Sequence, residues 1–154
     1  MKTPNFMDIA LEEAQVAADN AEVPVGAVIV SHDGEIIARA NNAMRQSNDP
    51  TAHAEIIALR DAAKMIGNER LTGCDLYVTL EPCTMCAGAI SHARIRRLYY
   101  GAPDSKMGAI DHGVRFFEQK TCHHAPEVIG GMKEQACANL LRDFFTMRRN
   151  SSKN

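Results

Sequence analysis

His53-Ala54-Glu55 and Pro82-Cys83-Thr84-Met85-Cys86 supply three good zinc ligands and one carboxylate that the metal does not need. Structural zinc sites are closed by four protein ligands, whereas catalytic ones keep a position open for water. With His53, Cys83 and Cys86 as ligands, Glu55 is left as a proton carrier, and the chemistry is hydrolytic. Zinc so held lowers the pKa of its water towards neutrality. Glu55 would take that water's proton and later hand it to the group that leaves. The reaction class is zinc-assisted hydrolysis. The competing reading is a zinc-ribbon half-site with a purely architectural metal, which calls for a second CxxC that the chain does not carry.

The spacing constrains the elements that must hold these residues. Two cysteines three apart at the first turn of a helix share one side of it. There the positive end of the helix dipole favours thiolate, the form that binds metal. Pro82, directly before the first cysteine, sets the entry without wasting a backbone donor. His53 and Glu55 are two apart, about 200° around an ideal helix, so they cannot share a helical face. They meet one ion only if it lies off the N-terminal end of their helix. Asp49 as N-cap and Pro50 in the first turn would provide that start, with His53 also in the first turn.

Elsewhere the pattern alternates helices with strands. Phe6, Ile9, Ala10, Ala14 and Ala17 recur at helical spacing, predicting a helix from about Pro4 to Asp19. Val25–Val30 and Glu35–Ala40, joined through Asp33-Gly34, read as a hairpin. Asn41–Asn48 reads as a polar loop, and the His53 helix should stop at Gly67. Leu76–Leu80 is a third strand, Pro82 to about Ser91 a helix, and Arg97–Tyr100 a fourth strand. Residues 102–126 give no clear pattern; Val128-Ile129 is a short edge strand, and a last helix spans about Lys133 to Arg149, with 151–154 frayed. These predict one α/β domain over residues 1–154, a three-layer α/β/α sandwich with a central mixed sheet.

A formal net charge of −2 argues against a protein that coats nucleic acid by charge alone, though not against a local basic patch. Five cysteines, two of them in a metal-type CxxC, argue against a disulfide framework and for a reducing cytoplasm. Val25–Val30, the longest apolar run, is too short to cross a bilayer, and the start lacks a signal-peptide core.

His-x-Glu followed by Pro-Cys-x-x-Cys matches the signature of zinc-dependent nucleobase deaminases. Longer stretches are more specific. Asp49–Ile56, Leu76–Ala89, Val23–Val28 and Asp143–Arg149 closely resemble the bacterial tRNA-specific adenosine deaminases, and the likeness runs from about Met7 to Arg149. The resemblance implies a cytidine-deaminase-like fold and conversion of adenosine to inosine at the wobble position of a tRNA anticodon. It implies one zinc per subunit, on His53, Cys83 and Cys86, with Glu55 as proton shuttle. It also implies a homodimer in which loops of one subunit add to the other's RNA-binding surface.

Carried over in the same way, Asn42 would hydrogen-bond the flipped base and Asp104 the neighbouring sugar. Phe144, Phe145, Arg148 and Arg149 would border the anticodon stem-loop. Ile110–Phe117 departs from the best-known members, which leaves that loop's RNA contacts open. Read without the family, Asn42 is a loop residue, and the phenylalanines, at helical spacing from Leu140 and Leu141, predict that at least one is core. Arg142, Arg148, Arg149 and Lys153 make the tail locally positive, which suits phosphate contact or simply a solvated helix end. Cys122-His123-His124 lacks partner ligands and reads as incidental donors, and Cys74 and Cys137 as small apolar packing. Two rivals remain at this level: a deaminase of a free base or nucleoside such as guanine or cytosine, and a non-catalytic, zinc-stabilised RNA-binding module.

Overall fold

The first strand, Gly26–Val30 (β1), is buried along its whole length because both faces of the sheet are covered. In this computed structural model, which describes residues 5–152, the sheet has five strands. The others are β2 (Ile36–Asn41), β3 (Asp75–Leu80), β4 (Arg97–Ala102) and β5 (Glu127–Ile129), in the order β2-β1-β3-β4-β5. β1 pairs antiparallel with β2 and β3, whereas β3, β4 and β5 run parallel. The sheet is therefore mixed, as the sequence predicts.

Five helices and one 3-10 turn complete the described residues: α1 (Phe6–Asp19), α2 (Met44–Ser47), α3 (Ala54–Ile66), α4 (Thr84–His92), the turn Phe116–Glu118, and α5 (Glu134–Ser152). Alternation along the strands assigns the two cores. Val28 and Val30 pack with Met7, Ala10 and Cys137 under α1 and α5, while Ala27, Ile29, Leu76 and Val78 pack with α3 and α4. That is the three-layer sandwich. On the first side α1 comes unusually close. A Cβ placed on Gly26 would lie 1.9 Å from the Ala10 carbonyl oxygen and 2.6 Å from the Ala14 nitrogen. Only glycine lets helix and strand backbones touch there.

The boundaries depart from the sequence reading in places with definite causes. α1 starts at Phe6, because the Asn5 side chain caps it by accepting from Met7 N–H at 2.9 Å; Pro4 lies outside the described residues. Within the expected polar loop, Met44–Ser47 is a short helix, because the buried Glu22 carboxylate accepts from Arg45 N–H and Gln46 N–H at its start. Asp49 is not an N-cap of α3. It closes a turn on itself, accepting from Thr51 N–H and Oγ–H, and the helix begins five residues later, at Ala54. Gly67 does end α3, in the left-handed conformation that suits glycine. α4 starts at Thr84 rather than Pro82, and α5 runs on through Ser152, with residues 153–154 outside the description. Among the described residues no helix is long and apolar enough to cross a membrane.

Candidate active site

The strand order gathers the chemistry at one end of the sheet. Asn41, the last residue of β2, faces Gly26, the first of β1; Ala27 faces Val78; and Leu80, the last of β3, lies beside Ala102, the last of β4. Asn42, Glu81-Pro82-Cys83 and Pro103-Asp104 therefore leave the sheet at the same rim, where the carboxyl ends of parallel strands commonly form a binding crevice. α3 and α4 both begin there.

His53 is the N-cap of α3 and Cys83 that of α4, both in extended conformation and neither using its side chain to cap. Each donor is thus placed just outside its helix, as the off-end geometry required, although one position earlier than the sequence suggested. Cys86 sits in the first turn of α4 and is buried. Cys83 Sγ lies 3.6 Å and Cys86 Sγ 3.4 Å from His53 Nδ1, and all three ligand atoms fall within 4.8 Å of one another. Tetrahedral zinc with bonds of about 2.3 Å to sulfur and about 2.0–2.1 Å to nitrogen demands an N–S separation of about 3.6 Å. The donor set fits the ion in both chemistry and spacing, and no other such group occurs among the described residues.

Glu55, in the first turn of α3, is almost fully buried beside this cluster. Burial pushes its carboxyl up to about 6. Cys83 is drawn down to about 4, first by the hydrogen bond from Cys86 and then by His53, while Cys86 is driven well above the ordinary thiol range.

A cavity of about 700 Å³ opens onto the cluster, with His53, Glu55, Cys83, Asn42, Asp104 and Phe145 among its lining residues. Asn42 is buried, and its Oδ1 accepts from Ala54 N–H at 2.8 Å, so it holds the start of α3. With the oxygen so engaged, its amide N–H groups remain for a ligand. Asp104 Oδ1 accepts from Lys106 N–H and Met107 N–H, which folds its loop back against the opening.

Not every predicted residue reaches this cavity. Phe144 is buried and carries Arg148 5.5 Å above its ring. Both line a separate groove between α1 and α5. Phe145, 46% exposed, is the member of the pair that reaches the cavity. Arg149 lies one residue further along α5, with its guanidinium 3.5 Å from Thr146 Oγ. Cys74 and Cys137 are buried, as expected. Cys122 and His124 tie their loop to α4 and its exit through Ser91 Oγ and the Ile95 carbonyl. Arg96 forms a two-pronged pair with Asp75, and Arg97 pairs with Glu127.

Sequence reasoning gave no role to Glu81. It is 2% exposed, and both carboxylate oxygens accept hydrogen bonds from the loop that follows β4. Burial pushes its pKa up, but those bonds and His112 outweigh it and hold the carboxyl below its usual range. Its position directly before Pro82-Cys83 was the available signal; five hydrogen bonds to four residues at least 23 positions away were not readable.

Comparison with known proteins agrees with this geometry. Residues 1–102 match the cytidine and deoxycytidylate deaminase zinc-binding region. The chain is 60% identical over 145 residues to the tRNA-specific adenosine deaminase of Agrobacterium fabrum, covering 94% of this chain and 95% of that one. It is 50% identical over 148 residues to that of Haemophilus influenzae, covering 96% and 86%. A solved structure from work on A-to-I editing by tRNA:A34 deaminases at the wobble position of transfer RNA superposes with a TM-score of 0.87 at 61% identity, covering 88% of this chain and 98% of that one. On a zinc-type donor set, a buried acid beside it and these likenesses, the chain belongs to the tRNA-specific adenosine deaminases, within the zinc-binding cytidine and deoxycytidylate deaminase family.

Proposed function

We propose that this protein deaminates adenosine to inosine at the wobble position of a tRNA anticodon. The observation that carries it is the buried Glu55 carboxylate beside the His53, Cys83 and Cys86 donors, at the floor of a cavity that Asn42 and Asp104 also line. His53, Cys83 and Cys86 would hold one zinc per subunit, which when bound supplies a Lewis acid able to activate water near neutral pH. Glu55 takes the first proton released by water and delivers it to the purine ring nitrogen next to the attacked carbon; it then takes the second proton from the hydroxyl now on that carbon and passes it to the amino group, which leaves as ammonia as the carbonyl forms and the C–N bond breaks. Its buried setting suits a shuttle, because the carboxyl is held out of bulk water directly beside the donor cluster. Asn42 offers its amide N–H groups to the base, and its bond to Ala54 N–H keeps that amide from rotating away. Asp104 and Lys106 stand at the rim, where the neighbouring sugar and phosphate of an RNA loop would pass.

Phe145 gives the adjoining α5 an aromatic face for a neighbouring base, and Arg148 and Arg149 add positive charge further along that helix for RNA phosphates. Phe144, buried under Arg148, would support that surface rather than stack. We further propose a homodimer whose subunits complete each other's RNA surface, as the resemblance in sequence implies. Five free cysteines suit the reducing cytoplasm in which tRNA is modified. The test is inosine mapping at the wobble position after incubating purified, zinc-loaded protein with an anticodon stem-loop RNA, beside free adenine, guanine and cytosine. Inosine in the RNA is expected; turnover of the free bases alone would overturn the assignment.

A further inference from the structure

The loop from Asp104 to His112 forms much of the cavity's outer wall, yet it contains no helix or strand that would fix its shape. Its backbone is instead wrapped around one side chain of the floor. Glu81 Oε1 accepts from Asp104 N–H at 3.0 Å and lies 2.8 Å from His112 Nδ1. Oε2 accepts from Ile110 N–H at 3.1 Å, Asp111 N–H at 2.9 Å and His112 N–H at 3.1 Å. Both ends of the loop therefore converge on one carboxylate. Gly108 lets the loop close this tightly, since a Cβ there would lie 2.6 Å from Glu81 Cδ and 2.4 Å from the Asp104 carbonyl oxygen.

Glu81 is itself clamped on both sides by main chain. Its N–H donates to the Ala102 carbonyl at 2.9 Å, and the carbonyl of Pro82, the next residue, accepts from Ala109 N–H at 2.9 Å. The carboxylate hub and the Cys83 donor thus stand two residues apart on one rigid segment leaving β3. Small displacements of a positioning group cost binding and orientation before they touch the reacting atoms.

We infer that Glu81 is a positioning residue that sets the Asp104–His112 loop at the height needed to grip the nucleotide beside the reacting base, and so governs RNA affinity and selection rather than proton transfer. His112 is the side-chain half of this lock, its ring on Oε1 adding to the backbone bonds that hold the loop. The inference rests on the RNA-deaminase reading given above, and its test separates the two.

Glu81→Gln keeps the volume but replaces one acceptor oxygen with an N–H donor facing either Asp104 N–H or the three amides on Oε2. His112→Ala removes one partner and leaves the carboxylate. Each variant, zinc-loaded, is compared with the parent on an anticodon stem-loop by KM and single-turnover rate at saturating RNA, with zinc content and thermal melting measured alongside. For Glu81→Gln, KM is expected to rise about 10- to 100-fold, as unmet buried donors release the loop, with the saturated rate within about threefold and zinc unchanged. His112→Ala should raise KM by about three- to tenfold, and a change at the nucleotide following the wobble base should matter less to either variant than to the parent. An unchanged KM in Glu81→Gln, or a fall in saturated rate with zinc loss and no rise in KM, overturns the inference while the parent still makes inosine. A parent that makes no inosine removes the underlying function instead.

Discussion

Replacing Glu55 by Gln tests the proposed chemistry most directly. The substitution keeps size and burial but removes the group that accepts and releases protons. General acid–base catalysis by a positioned side chain is worth about 10²–10⁴ in rate, and here the same carboxylate serves both the ring nitrogen and the leaving group. The neighbouring acids are poor substitutes: Glu81 is committed to its loop, and Asp104 Oδ1 to Lys106 and Met107 N–H. The loss should therefore fall near the top of that range, about 10³–10⁴, equivalent to about 4–5 kcal/mol of transition-state stabilisation.

The ion should stay, because Glu55 is outside the donor set. Stability supplies a second, independent readout in the metal-free protein. Burial raises the carboxyl from its ordinary 4.5 to about 6, so the folded state holds the proton more tightly than the unfolded chain does. The penalty is absent below pH 4.5 and complete above about pH 6, where it amounts to about 2 kcal/mol. Metal-free Glu55→Gln should thus melt higher than the parent at pH 8 and converge with it at pH 4. The assay is inosine formation under single turnover, with zinc content by mass spectrometry and melting curves at both pH values. Activity within tenfold of the parent would remove Glu55 from the mechanism, and loss of zinc would mean that it is a ligand.

Three further outcomes follow from the same structure. Gly26→Ala drives a methyl against the α1 backbone and should cost about 3 kcal/mol or more, lowering Tm by roughly 6–12 °C in a chain of this size; an unchanged Tm would mean that α1 and β1 are not in backbone contact. Phe144→Ala should cost about 3 kcal/mol of stability, while Phe145→Ala should leave Tm nearly unchanged and raise KM for RNA about tenfold; reversed roles would refute the assignment of the pair. Chelation should abolish activity and lower Tm, both restored by zinc, and zinc occupancy should fall as pH drops, because thiolate and neutral imidazole must take up protons; occupancy independent of acidification would contradict the thiolate–imidazole site.

Much of this was legible in the chain because the metal donors, the hairpin and α1 rest on local patterns. Val25–Val30 is apolar at every position because helices cover both faces, and Pro82 with the CxxC spacing announces the start of α4. The errors share a cause. Asp49-Pro50 suits a turn as well as a helix start, and only the Thr51 bonds decide between them. The short helix at Met44 is held by Glu22, 22 residues away, and the loop after β4 by Glu81. Helical spacing put Phe144 and Phe145 on one helix but could not tell which ring faces the cavity, since that depends on how α5 rolls against β4.

His53 and Cys83 are 30 residues apart, with all of α3 and β3 between them. A zinc ion spanning them works as a reversible cross-link around that loop. Closing about 30 residues removes about 4 kcal/mol of disorder from the unfolded chain. An ion held there to activate water would also be a staple between two successive strand–helix units, so losing it would weaken the architecture along with the reaction.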